Sequence, residues 1–262
     1  MGCIVNKTAD AKADRLSRWS ATGISFPDEV LELDRSVRTL DLTHNKLADI
    51  PEEISRLTNM QRLILADNVI ERLPSNVGKL QSLKFLILDQ NRVTILPDEM
   101  GQLVRLERLS ILGNQLTGLP DTIGSLRNLL LLNVSKNQLK FLPESIGSCF
   151  SLEELQANEN SIEELPPSIP PSLLKSCKAL QNISLHGNPI SMDQFQTMEG
   201  FQEFEARRKR KFDKQIDSNV MIGSKGLDEG VDLMSRGLEA ACMINDDGLW
   251  LWTSARPSLQ LW

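Results

Sequence analysis

Gly2 and Cys3 are the residues of this chain best placed for a covalent change. Removal of Met1 would expose Gly2 to N-myristoylation, and Cys3 beside it is an acceptor for palmitate. The usual motif has Ser or Thr where Asn6 stands, so the fit is partial. One myristoyl chain associates with a membrane at only about 10⁴ M⁻¹, so lasting attachment needs a second chain or basic help. Lys7, Lys12, Arg15 and Arg18 could supply that help. Elsewhere the reactive side chains suggest packing. Cys149 and Cys177 fall where Leu57, Leu80, Leu103 and Leu126 stand in earlier segments, which reads as a core position and not as a redox or metal pair. His44 and His186 lie far apart with no ligand residues at metal spacing. No Ser/His/Asp set, recessed acid pair or phosphate-cradling glycine loop is present. No catalytic residue, metal, cofactor or small-molecule substrate is therefore expected.

The elements that carry these residues follow one period. Asn45, Asn68, Asn91, Asn114, Asn137 and Asn160 are spaced by 23 residues, and Pro51, Pro74, Pro97, Pro120, Pro143 and Pro166 keep the same step. Around each asparagine the chain reads LxxLxLxxNxLxxLPxxIGxLxx, as in Leu83, Leu86, Leu88, Asn91, Val93, Leu96, Pro97, Met100, Gly101 and Leu103. LxxLxL puts leucines on one face of a short strand and the intervening residues on the other. The asparagine amide can satisfy backbone groups that a tight bend would strand. Proline then opens a short 3₁₀ or helical return. Single repeats cannot bury enough surface alone, so stability belongs to the stack.

Both ends are irregular. Phe26, Pro27 and Val30 occupy the phase of a preceding repeat that lacks its strand. At the other end Asn160 to Asn188 spans 28 residues, and Leu165-Pro166 is followed at once by Ile169-Pro170. This predicts a missing strand and asparagine turn, with either a long outer loop or an array that bends and loosens between Leu155 and Leu180. Residues 191–216 read as one amphipathic capping helix. Phe195, Met198, Phe201, Phe204 and Phe212 form its apolar face, and Arg207 to Lys211 its solvated one. From residue 217 Gly, Ser and Asp accumulate, and a disordered tail is expected through 262. The predicted organisation is an anchor segment (1–20), a repeat array (21–190, irregular at 160–188), a cap (191–216) and a tail (217–262).

The residues between the leucines offer the binding surface. One column reads Thr39, Arg62, Phe85, Arg108, Leu131, Glu154 and Asn182, and its neighbour Asp41, Ile64, Ile87, Ser110, Asn133, Gln156 and Ser184. Arg62, Ile64, Phe85, Ile87, Arg108 and Leu131 should form an aromatic-aliphatic patch bracketed by arginines, a composition typical of protein-binding surfaces. Cross-strand packing of Phe85 and Ile87 would account for the same residues without a partner. Glu153, Glu154, Glu159, Glu163 and Glu164 make a separate acidic zone.

The spacing of Asn45 to Asn160, with Asn188 closing the series, resembles the leucine-rich repeat of the intracellular Ras-group type. Met1-Gly2-Cys3, the array, His186 to Ile190 and the Phe-rich basic helix after it are similar to the small plant intracellular Ras-group-related leucine-rich repeat proteins. The resemblance implies an α/β right-handed solenoid, with a curved parallel sheet on its concave face and short helical or 3₁₀ arcs outside. It also implies a non-catalytic protein binder in intracellular signalling. Two roles fit: a scaffold tethered to the membrane surface through Gly2 and Cys3, or a soluble regulator of a phosphatase, small GTPase or ubiquitin ligase component. The partner is expected to be a protein. A net charge of −6 and 5% aromatic residues without tyrosine speak against nucleic acid. No secretory leader or bilayer-length apolar run occurs, so the expected location is the cytoplasm or the cytoplasmic face of the plasma membrane, ahead of the nucleus.

Overall fold

Strand, turn and return recur in the order the repeat frame predicts. The computed structural model describes residues 4–6, 26, 28–31, 37–163 and 170–210. A short strand β1 (Ile4–Asn6) leads, and seven strands follow: β2 (Thr39–Asp41), β3 (Arg62–Ile64), β4 (Phe85–Ile87), β5 (Arg108–Ser110), β6 (Leu131–Asn133), β7 (Glu154–Gln156) and β8 (Asn182–Ser184). Strands β2 to β8 run parallel in chain order within one sheet. Strand β1 pairs antiparallel with β2, Ile4 opposite Asp41, and occupies the open edge. That strand lies in the segment read from sequence as an anchor, where three residues are too few to show a strand pattern.

The outer side is made by 3₁₀ turns at Glu52–Arg56, Ser75–Lys79, Asp98–Gln102, Asp121–Ser125 and Glu144–Ser148. Each follows a proline, as at Pro97 with φ −70°, the angle its ring imposes in any case. The glycine near the end of the last four of these turns (Gly78, Gly101, Gly124 and Gly147) sets how closely successive arcs stack. A Cβ at Gly101 would lie 2.7 Å from the Thr122 carbonyl oxygen, inside van der Waals contact. Between sheet and arcs the recurring aliphatic residues, including Leu83, Leu86, Leu88, Val93, Leu96, Met100 and Leu103, are buried in one continuous core. Phe26 and Val30, the latter on helix α1 (Asp28–Leu31), join it at the amino-terminal end. Cys149 and Cys177 are part of the same core, and burial pushes their thiols up to about 12 and about 11.

The sheet has no gap where a strand was expected to be missing. Strand β8 pairs directly with β7, Glu154 opposite Asn182 and Leu155 opposite Ile183. The return between β7 and β8 carries helix α2 (Pro171–Ser176) where earlier repeats have a 3₁₀ turn. Pro170 and Pro171 start that helix as prolines do at a first turn. Leu165, Pro166 and Ile169 lie outside the described residues. Backbone pairing fixes the strands, so added residues are absorbed on the side where no ladder must be kept.

The predicted single helix over 191–216 is two helices, α3 (Met192–Thr197) and α4 (201–210), parted at Gly200 with φ +89°. Phe195 and Phe204 are buried against the core, and Phe201 meets Phe195 edge-on with centroids 5.6 Å apart. The break lets both helices turn phenylalanines onto one apolar layer. Arg207 also departs from the solvated face assigned to it: its Nη2 donates to the Leu174 carbonyl at 2.8 Å. Arg208 pairs with Glu205 at 3.0 Å, while Lys209 and Arg210 are exposed. Lys211, Phe212 and the predicted tail lie outside the described residues, as do Gly2 and Cys3.

Candidate protein-binding face

Alternation along each strand turns Leu63, Leu86, Leu109 and Leu132 into the core and their neighbours onto the opposite face of the sheet. Parallel pairing without a residue offset then brings one column together, Arg62 beside Phe85, Phe85 beside Arg108 and Arg108 beside Leu131. The second column sets Ile64 beside Ile87 and Ile87 beside Ser110. All six predicted patch residues thus sit on four adjacent strands. The Arg62 guanidinium carbon lies 4.6 Å from the centre of the Phe85 ring, a cation–π contact. Arg62 and Arg108 are exposed, whereas Ile64, Phe85, Ile87 and Leu131 are half-buried. Strands about 4.8 Å apart let these side chains cover one another, so sheet packing and an accessible surface coexist.

The acids beside the patch are already engaged. Asp89 Oδ1 accepts from Ser110 Oγ at 2.7 Å and from the Leu112 amide at 2.9 Å. Asp41 Oδ1 accepts from Thr43 Oγ1 at 2.6 Å and from its amide at 3.0 Å. In the acidic zone Gln156 donates to Glu154, and Glu159 pairs with Lys136 at 3.5 Å. The ion pairs of the described residues include neither Arg62 nor Arg108.

The asparagines build the frame that holds this face. Asn91 Nδ2 donates to Leu88 O at 2.9 Å within its own repeat and to Leu65 O at 2.9 Å in the preceding one. Its Oδ1 accepts the Ile70 amide at 3.0 Å. The same three-way bridge recurs at Asn68, Asn114, Asn137, Asn160 and Asn188. Asn45 keeps the intra-repeat donation to Leu42 O at 2.7 Å, but its buried Oδ1 has no partner among the described residues. The residue before each asparagine is left-handed: His44, Asp67, Gln90, Gly113, Lys136, Glu159 and Gly187 have φ between 50° and 69°. This tight turn aims the amide inward, and the sequence pattern shows it only through the glycines at 113 and 187.

Sequence reasoning missed the most exposed apolar side chains. Ile95, Val104, Leu130, Phe141 and Phe150 lie off the two columns, and Ile95 is 63% exposed. Ile95 and Phe141 share the place occupied by Asp49, Arg72 and Gly118 in other repeats, so their departure from polar or small residues was the available signal. His44 Nδ1 lies 3.0 Å from Asp67 Oδ2, and His186 is exposed at the far end of the array. Among the described residues no group of His, Cys, Asp and Glu could hold a metal ion, and no helix is long and apolar enough to cross a membrane.

Comparison with known proteins agrees with this architecture. A leucine-rich repeat region model matches residues 30–115 and 75–169. The chain is 66% identical to plant intracellular Ras-group-related LRR protein 7 of Oryza sativa subsp. japonica, over 89% of this chain and all of that protein. It is 40% identical over 60 residues to protein 8 of the same series and organism, covering 20% of this chain and 16% of that protein. Among solved structures, a Leptospira interrogans LRR protein superposes with a TM-score of 0.62 at 35% identity, covering 68% of this chain and 44% of that one. The LRR ectodomain of the Arabidopsis thaliana receptor kinase GASSHO1/SCHENGEN3, crystallised with CASPARIAN STRIP INTEGRITY FACTOR 2, gives 0.53 at 29% identity. That match covers 67% of this chain and 24% of the ectodomain. The repeat frame, the sheet it builds and the full-length rice relative together place this chain in the plant intracellular Ras-group-related leucine-rich repeat family.

Proposed function

We propose that this chain is a non-catalytic adaptor of intracellular signalling that grips a protein partner with the sheet face around Phe85. The observation that supports it most is the Arg62–Phe85 stack on four adjacent strands, flanked by Ile64, Ile87, Arg108 and Leu131. Aromatic and arginine anchors surrounded by aliphatic side chains supply most of the energy at protein interfaces. The 2.6 to 3.3 Å hydrogen bonds of turn and strand hold that surface in one shape before any partner arrives, which lowers the entropy cost of association. The similar GASSHO1/SCHENGEN3 ectodomain, crystallised in complex with CASPARIAN STRIP INTEGRITY FACTOR 2, agrees in kind. Acylation at Gly2 and Cys3 would place the adaptor at the cytoplasmic membrane face.

Affinity capture with wild type and Phe85→Asp tests the face. The set of captured proteins should shrink with Phe85→Asp while the thermal melt stays close to wild type, since Phe85 is half-buried and not in the core. An unchanged set would remove the assignment. Metabolic labelling with a myristate analogue tests the tether, because label should enter wild type and not Gly2→Ala. Unlabelled wild type would leave a soluble binder.

A further inference from the structure

The charges on the face state what the gripped segment must carry. Arg62 and Arg108 stand on strands β3 and β5, one on each side of Phe85, with no acidic partner among the described residues. Asp41 and Asp89, on the same face, already accept hydrogen bonds through Oδ1 from Thr43, Ser110 and Leu112. Both arginines therefore lack an ion-pair partner among the described residues, whereas each aspartate is tied through Oδ1 to its own face. The Arg62 guanidinium carbon lies 4.6 Å from the centre of the Phe85 ring, and the side chain is exposed. The planar guanidinium fork is suited to carboxylate recognition by two parallel hydrogen bonds.

Resting on the reading of this face as the binding surface, we infer that the occupant is a short acidic peptide segment of a partner protein, with an apolar side chain between two carboxylates. The apolar side chain would lie over Phe85 and Ile87, and the carboxylates would meet Arg62 and Arg108. Backbones two strands apart are separated by about 9.6 Å. A polyproline-type segment advances about 3.1 Å per residue with three residues per turn, so acids three apart in sequence reach both arginines from one side. A helix does the same with acids seven apart, at about 1.5 Å per residue. A flat β-strand turns residues three apart to opposite faces and does not fit. The attraction is confined to one small basic site, which selects a short segment.

A random peptide library displayed on phage, panned against the full chain, tests the inference. Peptides whose retention is lost with Phe85→Asp should be enriched in acid pairs three or seven residues apart with an apolar residue between. A synthetic peptide from that pool, followed by fluorescence anisotropy, should bind Arg62→Ala and Arg108→Ala each about tenfold more weakly, the equivalent of one charged contact. Raising the salt concentration should weaken wild type more than the double variant. Phe85-dependent peptides without acid enrichment would overturn the inference and leave the binding face in place. Recovery of no Phe85-dependent peptide would overturn this inference, and the capture comparison then decides the face by itself. Equal binding by wild type and the arginine variants would also overturn it.

Discussion

Replacing Asn91 by alanine exposes how the asparagine ladder carries stability. Leu65 O receives Nδ2 of both Asn68 and Asn91, at 3.0 and 2.9 Å, and Leu88 O receives Asn91 and Asn114, both at 2.9 Å. In Asn91→Ala each carbonyl therefore keeps one donor. The buried Ile70 amide does not: Asn91 Oδ1 at 3.0 Å is the acceptor it loses. An orphaned buried N–H costs about 1–3 kcal/mol, and two lost shared bonds add about 1 kcal/mol each, so about 3–5 kcal/mol is expected. Asn45→Ala is the internal control. Its Oδ1 has no partner among the described residues, and Leu42 O is also served by Asn68 at 2.9 Å, so no described amide is orphaned and about 1 kcal/mol or less is expected. Asn188→Ala separates this effect from fraying at an end, because Asn188 is terminal yet accepts the Ile162 amide at 3.1 Å. It should cost more than Asn45→Ala. Urea unfolding of the full chain followed by far-ultraviolet circular dichroism gives all three values. Equal losses at Asn45 and Asn91 would refute the shared-carbonyl reasoning.

Further outcomes follow from packing and titration. Gly101→Ala should lose about 1–3 kcal/mol as the new methyl presses on the Thr122 carbonyl, whereas Gly118→Ala, with open space around it, should be neutral or slightly stabilising in the same urea series. Leu88→Asp should abolish the cooperative melt, since it places a carboxylate in the fully buried core. Cys149 and Cys177 should resist iodoacetamide at pH 8 until urea unfolds the array, because burial holds both thiols protonated. Their folded values of about 12 and about 11 exceed the ordinary 9.0. Their contribution is therefore intact below pH 9 and is lost as pH rises through 9 towards 12. A Cys149→Ala/Cys177→Ala variant should flatten that alkaline decline in urea midpoints.

The repeat was legible because its residues obey backbone rules that leave few choices. A fixed 23-residue step in Asn45 to Asn160 leads to parallel strands in exact register, and alternation within LxxLxL leads to the columns through Arg62, Phe85, Arg108 and Leu131. What was not legible depends on competition between distant groups. The 28-residue step looked like a lost strand because length alone does not say whether extra residues enter the sheet or the outer arc. The single helix expected over 191–216 runs through Gly200, whereas the chain breaks there at φ +89° with Phe195 and Phe204 both buried in the core. Arg207 looked solvated from its basic neighbours, and only the exposed end of α2 reveals its acceptor at Leu174. For the face itself, sequence named the six residues, whereas the half-burial of Ile64, Phe85, Ile87 and Leu131 and the Arg62–Phe85 contact come from the pairing of strands.

The most direct test of the binding face is site-specific photocrosslinking from two positions on the same folded chain. A benzophenone side chain replacing Ile87 reports on the centre of the patch, and one replacing Phe141, which is 51% exposed away from it, reports on the flank. In a cell extract, Ile87 should yield discrete crosslinked proteins that vanish with Phe85→Asp, and Phe141 should yield none that depend on Phe85. Crosslinks confined to Phe141, or crosslinks at Ile87 that survive Phe85→Asp, would contradict a partner held by the sheet face.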